Sequence, residues 1–101
     1  MTVKFHRLVQ RDAWEIMGYY ERESGRNLAD EFHDEFHDEF MAEIHKAAKS
    51  PDRNHFDSSG LRRAALKRFP HHFPYRVRKE DILILVLRHD KRHPSYGTGR
   101  R

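Results

Sequence analysis

Cysteine is absent from this chain, which excludes a disulfide framework and any thiolate metal site and is compatible with a reducing compartment. Long apolar runs are missing as well. No stretch approaches the ~20 apolar residues that a membrane-spanning helix needs. The opening MTVKFHRLVQRD lacks the apolar segment of a secretory signal. A soluble, cytoplasmic protein with no membrane partner is therefore expected. Apolar residues are also scarce, 37% against 36% charged, so the core must be economical. At 101 residues the chain is expected to form a single domain around one modest core.

What is abundant is charge, and it is divided. Residues 1–60 carry 8 Lys/Arg against 13 Asp/Glu, a net −5, whereas residues 61–101 carry 12 against 3, a net +9. A basic half on so small a domain points to nucleic acid or an acidic protein as partner. The basic residues cluster on predicted strands and on a tail from about residue 90 to 101.

Periodicity supplies the elements. Residues 3–9, VKFHRLV, alternate as a short strand. From Gln10 to Glu23, Ala13, Trp14, Met17 and Tyr20 recur at helical spacing, with Asp12 in the first turn and Ser24-Gly25 as the break. Asn27 is the expected N-cap of a longer helix ending near Lys49, because Ser50 precedes a proline. A polar loop, PDRNHFDSSG at 51–60, follows. Three strands are then expected: LRRAALKRF (61–69), PYRVRK (74–79) and ILILVL (82–87), the last apolar on both faces. Pro74 is out of place in a central strand, since it has no N–H to donate. The order β-α-α-β-β-β gives an α+β fold, a helical hairpin on a small, mainly antiparallel sheet.

The most distinctive motif is DEFHDEFHDEF, residues 30–40. Two histidines four apart, His33 and His37, raise the question of a metal site. With about 100° per residue and Phe32 at zero, Phe36, Phe40 and Ile44 fall at roughly 40°, 80° and 120°. The phenylalanines thus form the apolar stripe, His33 lies within it and His37 at its edge. Glu31, Asp34, Glu35, Asp38 and Glu39 occupy the remaining arc and are expected to face water. The zinc-protease helix needs Glu directly after the first His, where this chain has Asp34. His33 and His37 therefore stay weak metal candidates without a recognisable third ligand, and no cofactor is expected.

The second half reads LRRAALKRFPHHFPYRVRKEDILILVLRHDKRHP. Its order, a basic strand, RFP, YRV, a polar turn and an apolar strand running into H-x-x-R-x-P, resembles the RelE/ParE family of bacterial type II toxin–antitoxin modules. These proteins are also labelled plasmid stabilisation proteins. The resemblance implies a toxin neutralised by a cognate acidic antitoxin that wraps its surface. It leaves two targets open, ribosome-bound mRNA, which RelE-like members cut, and DNA gyrase, which ParE-like members inhibit. For RNA cleavage, the carried-over positions are Arg63 and Lys67 on the first hairpin strand, His72 where the family has an arginine, and Arg92 and Tyr96 near the end. His72 would act as base and His89 as acid. Ala65 stands where another basic residue belongs. The RFP…YRV and H-x-x-R-x-P pattern resembles the ParE side, implying a non-catalytic gyrase inhibitor. On that reading Arg62, Arg63, Lys67, Arg68, Arg76, Arg88, Lys91 and Arg92 form the surface for target, nucleic acid or antitoxin. A non-toxic basic binding module is the third reading.

Overall fold

The computed structural model describes residues 1–56 and 60–101, with the backbone alone for residues 26–29. The elements are β1 (Thr2–Phe5), α1 (Val9–Ser24), α2 (Arg26–Lys49), a 3-10 turn (Pro51–Arg53), β2 (Arg62–Ala65), β3 (His71–Val77), β4 (Asp81–Ile84) and β5 (Arg88–His89). The sheet runs β1-β4-β3-β2, with β5 added on β3. Among the described residues, only β1 and β4 pair in parallel. The architecture is the expected α+β, with one strand more than the sequence suggested. No helix among the described residues is long and apolar enough to cross a membrane.

The helical hairpin turns at Gly25, whose φ of 79° lies in the left-handed region that favours glycine. α2 starts directly after it at Arg26, so the N-cap position falls at Gly25 and the backbone of Asn27 lies within the helix; the side chain of Asn27 lies outside what is described. The loop expected at 51–60 opens with the 3-10 turn; its residues 57–59 lie outside the described residues.

α2 buries the stripe that its sequence announces: Phe36 is 0% exposed, Phe40 7% and Ile44 1%. Phe32 stacks on Tyr20 and Phe36, and Phe40 meets the sheet edge-on at Phe73, with ring centroids 5.5 Å apart. From the sheet, Phe73, Tyr75, Ile82 and Ile84 complete the same core, all fully buried. A smaller cluster of Leu61, Leu85 and Val86, with Leu83 and Tyr96 against it, forms apart from this one.

Four expectations are corrected. Glu39 does not face water: its Oε1 accepts the backbone N–H groups of Lys67 and Arg68, at 2.6 and 2.9 Å. It thereby holds the turn that ends β2 after Ala65, well short of Phe69. Trp14 does not join the core; it is 63% exposed. β3 begins earlier than the expected strand and contains Pro74. Finally, ILILVL is not one strand. Between the pairs Tyr75↔Ile84 and His72↔Arg88, β3 contributes two residues, Phe73 and Pro74, while the facing segment contributes three, Leu85 to Leu87. One extra residue on one side is a β-bulge, and it falls opposite the proline.

Candidate functional site

The sheet register sorts the cations by face. Arg63 lies opposite Pro74 on β3, Arg76 opposite Leu83, and Lys4 opposite the same Leu83 from the other side. Cross-strand partners share a face, so Lys4, Arg63 and Arg76 stand on the side away from Phe73 and the helices. Arg63, Lys67, Arg76, Lys91 and Arg92 are all exposed. The other expected cations have partners within the fold, although Arg68 is itself exposed. Arg62 donates to the Asn54 carbonyl at 2.6 Å, pairs with Asp52 and lies over the Phe56 ring. Arg68 lies 3.8 Å from both Glu35 and Glu39.

Arg88 is a correction, because it is not a surface residue. It is 3% exposed, its Nη1 donates to the carbonyls of Pro94 and Tyr96, both at 2.7 Å, and its Nε donates to His72 Nε2 at 2.8 Å. His72 is 1% exposed, and its Nδ1 meets Asp90 Oδ1 at 2.7 Å. Since Arg88 can only donate, His72 Nε2 must accept, and Nδ1 carries the proton given to Asp90. The ring is neutral in this arrangement. Burial lowers the His72 pKa, and the charges of Arg63 and Arg88 lower it further against the opposing pull of Asp90.

Next to it, His71 is also buried, at 2% exposure. Burial, then the neighbouring His89, push its pKa down to about 4. His71 Nδ1 has no hydrogen-bond partner among the described residues. His89 stands at the strand end, its Nδ1 accepting the Lys91 N–H at 3.0 Å.

A groove of about 430 Å³ brings His89, Arg92 and Tyr96 together with His71 and Leu87 and with Glu15, Ile16, Tyr19 and Tyr20 of α1. Arg92 lies over the Tyr96 ring, 4.0 Å from its centroid, a cation–π contact. Of the positions named for RNA cleavage, His89, Arg92 and Tyr96 line this groove, while Arg63, Lys67 and His72 lie outside its lining.

Across α1 is a second cleft, of about 480 Å³, lined by Phe5, Val9, Ala13, Trp14, Met17, Phe40 and Met41 with His6, Arg7 and His37. Phe5, 47% exposed, and Trp14 leave its rim apolar and open. His37 therefore borders an apolar cleft. His33 is half-buried beside Phe32, and its Nε2 has no hydrogen-bond partner among the described residues. Among the described residues, no three His, Asp or Glu side chains converge on a metal-sized site.

Sequence reasoning missed three features. The cleft around Trp14 is invisible because helical spacing gives the direction of a face, not what covers it. Asp90 sits in the polar run RHDKRH with nothing to mark it as the partner of His72. The third is a buried ion pair between Asp12 and Arg100, 88 residues apart, joined at 2.6 and 2.9 Å. Only the tertiary fold could reveal a pair so remote.

Comparisons with known proteins bear on the family and the fold. The family model described as ParE toxin of type II toxin–antitoxin system, parDE, matches residues 3–94. A solved structure, the chromosomal ParDE TA system from P. aeruginosa, superposes with a TM-score of 0.71 and 21% identity, covering 88% of this chain and 95% of that one. At that identity the likeness speaks for the fold. Sequence comparison with curated proteins gives no match.

Proposed function

Because the chain belongs to the ParE toxin family of type II toxin–antitoxin systems, we propose that it inhibits DNA gyrase by binding and that a cognate acidic antitoxin neutralises it. The observation that carries the choice against RNA cleavage is the state of His72. Attack by a 2′-hydroxyl needs a base with a nitrogen free to take the proton. His72 is buried, one ring nitrogen accepts from Arg88 and the other donates to Asp90. It has no nitrogen to spare. The surface that remains is a set of exposed cations, Arg63, Lys67, Arg76, Lys91 and Arg92, suited to steering and docking an acidic partner.

The antitoxin has two complementary features to use. Its apolar side chains fit the cleft rimmed by Trp14 and Phe5, and its acidic residues match the basic sheet face and tail. Purified protein is expected to block gyrase supercoiling and leave ribosome-bound mRNA intact. Cleavage of that mRNA, lost on Arg92→Ala in a protein that still folds, would replace this reading with the endonuclease.

A further inference from the structure

Antiparallel residues in a hydrogen-bonded pair exchange two bonds, each N–H going to the other carbonyl. Leu85 donates to the Pro74 carbonyl at 3.1 Å, but Pro74 has no N–H to return. The Leu85 carbonyl, buried with its residue, would be left without its ladder donor. Arg100 fills that place: its Nη1 donates to the Leu85 oxygen at 2.9 Å. Two residues on, within the bulge, the Leu87 N–H finds its acceptor in Asp12 Oδ2 at 3.2 Å. Asp12 and Arg100 then close on each other, with side chains 2% and 9% exposed. A packed apolar pair could be as stable as a buried ion pair, but it could not satisfy these two backbone groups.

The same arginine ends a strap whose other fastenings lie along residues 90–101. Arg88 holds the Pro94 and Tyr96 carbonyls. Gly97, at φ 79°, lies so close to Val86 that an added Cβ would come within 2.6 Å of it. His6 Nδ1 accepts the Leu8 N–H, so its Nε2 donates to the main-chain oxygen of Arg101 at 3.1 Å. Between these points the strap presents Arg92 and Tyr96 as one wall of the groove whose other wall is α1.

We infer that Asp12 and Arg100 form a latch, made necessary by Pro74, that fixes where Arg92 stands, so that both are positioning residues for the toxin's action on its target. The functional half of this inference rests on the proposed gyrase reading. The test pairs Asp12→Asn with Arg100→Gln, because losing Arg100 alone strands a buried carboxylate, whereas Asn at position 12 still offers an oxygen to Leu87. Amide exchange of residues 91–99 is expected to rise about tenfold or more in the double variant while α2 and β3 stay protected. The inhibitory concentration against gyrase is expected to rise about tenfold. Adding Arg92→Ala should then cost little more, although in the unaltered strap it costs about tenfold by itself, since coupled residues are not additive. Pro74→Ala, which returns the missing N–H to Leu85, should lessen the effect of Arg100→Gln on tail exchange. Unchanged tail exchange in the double variant would overturn the latch. A loosened tail with unchanged inhibition, or losses that simply add to those of Arg92→Ala, would overturn the positioning role. If the unaltered protein leaves gyrase uninhibited, the target reading and the positioning role both fail, and the exchange measurements alone decide the latch.

Discussion

A histidine ring has two nitrogens, and what holds each of them decides what the residue does. In His72 one accepts and one donates, so the ring serves as a link between Arg88 and Asp90 and must stay neutral. His71, beside it, is kept neutral by burial, its pKa lowered from 6.5 to about 4. Both shifts have the same sign. The unfolded chain takes up protons on these rings below about pH 6.5, the folded chain only at lower pH, so acid favours unfolding. Stability is therefore expected to be highest above pH 6.5, to fall steadily toward pH 4 and then to lose this slope. Urea unfolding across that range would test it, and His71→Asn or His71→Phe should flatten the decline if the variant folds. The sequence drew attention to position 72 through the family pattern. It did not disclose that the arginine expected to be exposed at 88 is buried, because an arginine in a basic run at a strand end looks like a surface residue. Its partners are carbonyls of a turn six and eight residues later, and local spacing gives no sign of them.

At the scale of elements, the four-residue repeat of α2 was the most legible part of the chain. The angular arithmetic placed Phe36, Phe40 and Ile44 inward because burial follows the helical period, and the fold buries all three. The same arithmetic failed for Glu39, since it cannot say that the β2–β3 connection lies over that arc. Helical spacing was likewise silent about α1, where Trp14 and Met17 share a face that the neighbouring elements cover only in part. That incomplete cover is what makes the cleft an attractive seat for an antitoxin. Aromatic anchors in such sites typically carry 2 kcal/mol or more, so Trp14→Ala is expected to weaken antitoxin binding by roughly 30-fold or more while leaving the melting temperature nearly unchanged. Calorimetric titration of the purified pair would measure this, and an affinity unchanged within about twofold would place the antitoxin elsewhere. The break in ILILVL had its cause on another strand. Nothing within those six residues announces a bulge; Pro74 on β3 does.

For the molecule as a whole, the division of charge survives folding. The acidic residues Glu31, Asp34, Glu35 and Asp38 lie exposed on α2, while Lys4, Arg63 and Arg76 stand on the far face of the sheet. Salt screens exposed charges over about 8 Å at physiological ionic strength and acts mainly on encounter rates. The association rate with an acidic antitoxin should fall about tenfold from low to high salt, with dissociation changing far less; stopped-flow mixing would show whether it does. The sheet also imposes an order in time. β1 pairs in parallel with β4, Thr2 beside Asp81, and closing a loop of roughly 80 residues carries an entropic cost that local helix formation avoids. During synthesis the two helices can form while β4 is still inside the ribosome. Until β3 and β4 emerge, the Phe36 and Phe40 rings have no sheet to cover them. The growing chain therefore passes through an interval in which its stickiest surface is bare and its basic face does not yet exist, a vulnerability to aggregation that ends when residues 81–84 reach β1.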